Sequence, residues 1–144
     1  LSDLLMKLSP VLEQLRKNGF RITRVRRALT DIFLSAKRPL SAENVLLLLK
    51  KHRISVNKTT VYRELDFLES QDLITDIRLD NAKNMYESKS KNHHHHLYCI
   101  KCKKIEEVDM DNDLDIFEKK LEKDTKFKIK KHSLEFFGTC LTCQ

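Results

Sequence analysis

Apolar residues recur at helical spacing through the first half of the chain. Leu4, Leu5, Leu8, Leu12 and Leu15 fall three or four positions apart and predict a first helix, which Gly19 stops. The stretch "RITRVRRALTDIFLSAKRPL" predicts a second, with Val25, Leu29, Ile32 and Phe33 apolar and Pro39 as its break. Ser41 is placed to cap a third, "AENVLLLLKKH". After the short connection "RISVN", Asn57 can cap a fourth, "KTTVYRELDFLESQD", whose apolar face is Val61, Leu65 and Leu68. Two helices joined by a short turn, the second opening Thr-Thr-x-Tyr-Arg, make a helix-turn-helix pattern. "LITDIRL" and "NMYES" then read as strands around the polar turn "DNAKN", a hairpin wing.

Beyond the wing the pattern changes. "LYCIKCKKIEEV" is strand-like, "DLDIFEKKLEKDT" is an amphipathic helix, and "FKIKKHSLEFFGTC" is strand-like again. The predicted fold class is α+β: an N-terminal winged helix-turn-helix domain at 1–87, a hinge at 88–92, and a small α/β dimerisation domain at 93–144. A unit of about fifty residues buries little surface by itself, so dimerisation and a bound metal would both supplement its core.

Charge separates the same two parts. Residues 1–91 hold 18 Lys+Arg against 11 Asp+Glu, whereas residues 92–144 hold 10 of each. The whole formal excess of +7 therefore lies in the first part, which suits a polyanion partner. A merely solvated, lysine-rich surface is the bland alternative. Six cations, Arg16, Lys17, Arg21, Arg24, Arg26 and Arg27, fall within twelve residues with no acid among them, a cluster fit for phosphate or minor-groove contact. In a helix-turn-helix the second helix enters the major groove with its N-terminal residues nearest the bases. Those residues are Thr59, Thr60, Tyr62 and Arg63. Arg63 can fork onto guanine or a phosphate, and Tyr62 can touch a thymine methyl or donate to a phosphate.

No run of 18 apolar residues exists, and no secretory signal is visible at the start, so a cytoplasmic protein with no membrane partner is expected. That bears on the cysteines. Cys99, Cys102, Cys140 and Cys143 form two Cys-x-x-Cys pairs, and structural disulfides are disfavoured in a reducing compartment. Two such pairs can close a tetrahedral thiolate site around structural Zn2+ with bonds of about 2.3 Å, whereas a redox dithiol explains only one. A zinc hydrolase or deaminase needs an open metal position beside a general acid/base such as the glutamate of His-x-Glu. No His-x-Glu precedes either pair and four thiolates leave no opening, so the chain is not expected to be an enzyme. Just ahead of Cys99 stand four consecutive histidines, His93 to His96. If this run is a strand, His94 and His96 face one way and His93 and His95 the other.

Taken together, "GFRITRVR", "LSAENV", "TTVYRELDFLESQDLI", "MYE", "HHHHLYCIKC", "HSLEFFGTC" and the final Cys-x-x-Cys resemble the ferric uptake regulator family, which also includes zinc-uptake and peroxide-sensing repressors. The resemblance runs from about Leu15 to Cys143. It implies a homodimeric, metal-responsive transcriptional repressor. Such a protein binds double-stranded operator DNA, palindromic and A/T-rich, when its regulatory metal is bound. It implies a regulatory site of Glu87, His94 and His96, with Glu107 as a further carboxylate. It implies a second site of His93, His95 and His132 with Asp115, the last requiring one inserted residue after Cys102. Arg21, Arg26, Thr59, Thr60, Tyr62 and Arg63 form the DNA-binding set.

One departure bears on the metal. The iron- and peroxide-sensing branches usually carry a histidine just before "LSAENV", where this chain has Arg38-Pro39. Zinc sensors commonly lack it too, yet their frequent cysteine is replaced here by Lys89 or a neighbour, while Glu87 matches the iron-type ligand. Zinc is satisfied by four donors and iron(II) prefers five or six, so Fe2+ and Zn2+ both stay open, with Mn2+ a third candidate. The alternative function is metal storage or delivery without sequence-specific DNA binding. It explains the histidines but neither the Thr-Thr-x-Tyr-Arg helix nor the charge asymmetry.

Overall fold

A computed structural model describes residues 2–79, 84–90, 94–110, 113–130 and 132–144, with the side chains of 2–9 and 113 left out. The chain divides into two compact units, Leu1–Ser90 and Lys91–Gln144. The boundary falls after Ser90, so Ser88, Lys89 and Ser90 belong with the wing, and the Lys89 N–H donates to the Leu73 carbonyl at 3.1 Å.

The first unit opens with α1 (Ser2–Lys17). Gly19 follows it at φ +83, and the Phe20 N–H closes the turn onto Leu15 O at 3.0 Å, the left-handed stop that glycine adopts without steric cost. Helix α2 (Arg24–Ser35) is shorter than the predicted 21–40. Thr23 caps its start by accepting from the Arg26 N–H at 3.1 Å. Residues Leu40–Ser41 form β1, a two-residue strand with no sequence signature. Ser41 also caps α3 (Ala42–Lys51) in a reciprocal box: Ser41 Oγ accepts from Asn44 N–H at 3.2 Å, and Asn44 Oδ1 accepts from Ser41 N–H at 3.1 Å. Asn57 Oδ1 accepts from Thr60 N–H at 2.7 Å and starts α4 (Lys58–Ser70). Strands β2 (Ile74–Ile77) and β3 (Met85–Ser88) pair antiparallel, with β1 on the other edge of β3, giving the order β1-β3-β2. The core joins Leu29, Ile32 and Phe33 of α2, Val45 and Leu49 of α3, Val61, Leu65 and Leu68 of α4, and Ile74 and Tyr86 of the sheet. Each such fully buried aliphatic side chain contributes about 1.5–3 kcal/mol. This is the winged helix-turn-helix.

The second unit is a sheet of order β5-β4-β6. Strand β4 (His95–Cys99) turns back antiparallel into β5 (Ile105–Val108), and β6 (Glu135–Gly138) lies parallel to β4 after the crossover helix α5 (Asp113–Thr125). The strand expected over "FKIKKHSLEFFGTC" is realised only at Glu135–Gly138, while residues 126–130 are neither helix nor strand. A short 3-10 turn, Leu141–Cys143, follows. This unit has little interior: among the described residues its buried hydrophobic side chains are Tyr98 and Cys99. Phe117, Phe127, Phe136 and Phe137 are all exposed, Phe127 at 72%.

Candidate metal centres and nucleic-acid interface

On α4 the helical period sorts the residues expected to read DNA. Val61, Leu65 and Leu68 are fully buried, which turns Thr59, Tyr62 and Arg63 outward to solvent and leaves Thr60 half-buried. Lys58 Nζ lies 5.6 Å from the Tyr62 ring centre, adding a cation to the same end. Arg21 is exposed just upstream of α2. Arg26 behaves differently from its neighbours. Its Nε and Nη2 donate to the Glu64 carboxylate at 2.9 and 3.2 Å, and its Nη1 donates to the Arg21 carbonyl at 2.8 Å.

In the second unit the two Cys-x-x-Cys pairs meet. The four sulfurs lie within 4.8 Å of one another, with Cys102 Sγ 3.6 Å from Cys140 Sγ. A tetrahedral zinc with Zn–S bonds of about 2.3 Å sets its sulfurs about 3.8 Å apart, whereas a disulfide needs about 2.05 Å. The spacing fits the metal, and the thiols are not bridged. The turn between β4 and β5 is built for this: the Lys103 N–H returns to Cys99 O at 2.9 Å, with Lys103 in the left-handed region at φ +65. Lys101 Nζ donates to the Cys143 carbonyl at 2.6 Å and ties the C-terminal turn to the first pair. Hydrogen bonds from the backbone of Cys102 and then Cys140 hold the Cys99 thiol down at about 6. The Thr142 hydroxyl, then Cys102, lowers Cys140. Hydrogen bonding to Cys140 and Cys102 pushes Cys143 up to about 12.

The histidine run alternates across β4. His94 and His96 share one face, with ring centres 4.9 Å apart, and His94 Nε2 lies 3.9 Å from Glu107 Oε1 on the neighbouring strand. The register explains this, because His96 pairs with Glu107 across β4–β5. Donor atoms of His94, His96 and Glu107 all lie within 4.8 Å of one another, two imidazoles and a carboxylate suited to zinc or iron(II). Glu87 is buried on β3, in the first unit. His95 faces the other way and lies over His132, with ring centres 5.4 Å apart. His132 Nδ1 contacts Glu118 Oε1 at 2.5 Å, while Asp115, expected here by resemblance, is exposed one helical turn earlier on α5. Glu118, which the sequence reading did not name, is the carboxylate that meets His132. Its only signal was a spacing of three from Asp115, which keeps both on one side of the helix. His93 lies outside the described residues.

Residues 17–137 match the model of the ferric uptake regulator family. The chain belongs to that family. The ferric uptake regulation protein of Bacillus subtilis (strain 168) is 32% identical over 141 residues, spanning 95% of this chain and 94% of the relative. Among solved structures, the Helicobacter pylori ferric uptake regulator, described as having three functional metal binding sites, superposes with a TM-score of 0.81 at 25% identity over 97% of this chain and 93% of its own. The ferric uptake regulator of Francisella tularensis, solved with iron, gives 0.75 at 30% identity over 87% and 95%. As a ferric uptake regulator family member the chain is a metal-dependent transcription regulator. Among the described residues no helix is long and apolar enough to cross a membrane.

Proposed function

We propose that this regulator is a homodimeric repressor that binds a palindromic, A/T-rich operator when a regulatory metal, iron(II) or zinc, is held by Glu87, His94, His96 and Glu107. The observation that carries the reading is the cluster of His94, His96 and Glu107, which begins seven residues after the wing glutamate Glu87. A metal held there would supply a multiply coordinated Lewis-acid centre, and these donors would then favour the arrangement that binds it better. The chain's own residues do the rest. Glu87 stands one residue before the end of the wing strand β3, His94 and His96 stand at the start of the sheet of the second unit, and residues 88–93 join them. Clamping the two ends of that segment fixes how each winged helix is carried on the dimer. Thr59, Thr60, Tyr62 and Arg63 read the major groove, and Arg21 binds phosphate.

Cys99, Cys102, Cys140 and Cys143 would hold a structural zinc, which offsets the thin core of the second unit. The exposed Phe117, Phe127, Phe136 and Phe137 support dimerisation, since a monomer of this size does not keep so many aromatics in water. His95, His132 and Glu118, with His93, would form the second metal site. The test is selection of duplexes from a random pool by the purified protein, with and without free metal. An A/T-rich palindrome enriched only with metal is the expected result. No enrichment in either condition would return the chain to the metal-storage reading.

A further inference from the structure

The basic cluster upstream of α4 contains one arginine that does not serve the surface. Arg26 and Glu64 form a two-bonded ion pair whose side chains are only 13% and 9% exposed. The Arg26 guanidinium carbon also sits 3.5 Å above the centre of the Phe67 ring, and Phe67 meets Phe20 edge-on at 5.0 Å. The remaining arm of the guanidinium holds the backbone carbonyl of Arg21 at 2.8 Å. One planar group thus joins three elements: the Phe20–Arg21 segment, α2 and the first two turns of α4. Glu64 is the residue after Arg63 and two after Tyr62.

Stability does not explain the pair. A buried ion pair is roughly neutral against apolar side chains of the same volume, because desolvation cancels most of the Coulomb gain. Val61, Leu65 and Leu68 already anchor α4 in the core. What the pair adds is direction: a guanidinium fork accepts a carboxylate in one plane only, and a lysine cannot reproduce that geometry.

We propose that Arg26 and Glu64 are positioning residues for DNA recognition, holding the phosphate-binding Arg21 segment and the base-reading turn of α4 at one fixed spacing. This rests on the reading of α4 as the recognition helix. Arg26 is then not a DNA ligand, although it stands in the basic run.

The test uses full-length protein loaded with zinc, a duplex it selects from a random pool, and a scrambled duplex of equal length. Arg26→Lys and Glu64→Gln are compared with wild type for melting temperature, salt slope and affinity on both duplexes. The expected result is folded variants with an unchanged salt slope and unchanged affinity for the scrambled duplex. Affinity for the selected duplex falls about tenfold or more, the scale of one lost base contact. A parallel loss on both duplexes with a slope lower by about one would make Arg26 a phosphate ligand and overturn the proposal. An unchanged ratio of the two affinities would leave the pair a packing feature and also overturn it. Wild type that selects nothing would remove the DNA reading itself, before either variant matters. If a variant does not fold, the wild type decides: its Arg26 Nε–H must stay protected from exchange with and without DNA, and exposure in the complex refutes the role.

Discussion

Cys102 and Cys140 stand 38 residues apart in the chain and 3.6 Å apart at sulfur. That approach closes the end of the chain onto the β4–β5 turn. In a unit whose described interior is little more than Tyr98 and Cys99, it supplies what burial does not. Structural zinc in small domains contributes about 10–16 kcal/mol of apparent binding free energy, and that energy is folding energy. Cys143→Ser should therefore lose the tightly held zinc and melt the second unit, while the first unit keeps its own transition. Metal analysis with calorimetry checks this. A variant that keeps full zinc and melts unchanged would refute the four-thiolate site.

Recognition, as proposed, rests on two kinds of arginine. Arg63→Ala should weaken binding to the selected operator by about 1–3 kcal/mol if it forks onto a base. Arg21→Ala should weaken binding to every duplex and lower the salt slope by about one. Fluorescence titrations at several salt concentrations distinguish them, and an Arg63→Ala protein that binds the operator as wild type does would remove Arg63 from the reading set.

On α5, Glu118 and Asp115 are competitors for one role. Calorimetric titration with zinc, after the cysteine site is filled, should show Glu118→Ala losing affinity at the site of His95 and His132. Asp115→Ala should titrate as wild type does. The reverse pattern would restore Asp115.

Much of this was legible because local chemistry announces it. Ser41 and Asn57 each cap a helix as expected, whereas Thr23, read as part of the second helix, turns out to cap it; period two along the histidines separates His94 and His96 from His95. What was illegible depends on partners far along the chain. Leu40–Ser41 is too short to show a period, and it is a strand only because Met85 and Tyr86 pair with it. "KFKIKK" alternates like a strand, but alternation fixes which way side chains point and not what they pair with. Arg26 counted as one more cation in a basic run until Glu64, 38 residues on, accounted for its charge. Asp115 and Glu118 share a helix side, so spacing could not choose between them.

Pro39 is buried just ahead of β1, where relatives with a further histidine would add a ligand from the winged helix. Glu87 is then the winged helix's remaining donor to the proposed regulatory site, and control by metal should depend on it. The decisive measurement is operator affinity with and without free metal for wild type, Glu87→Ala and His96→Ala. Wild type should bind at least about tenfold more tightly with metal, a coupling near 1.4 kcal/mol, and both variants should stay folded and dimeric with their structural zinc but lose that gain. Equal wild-type affinity in the two conditions would contradict the clamp, whatever the variants do.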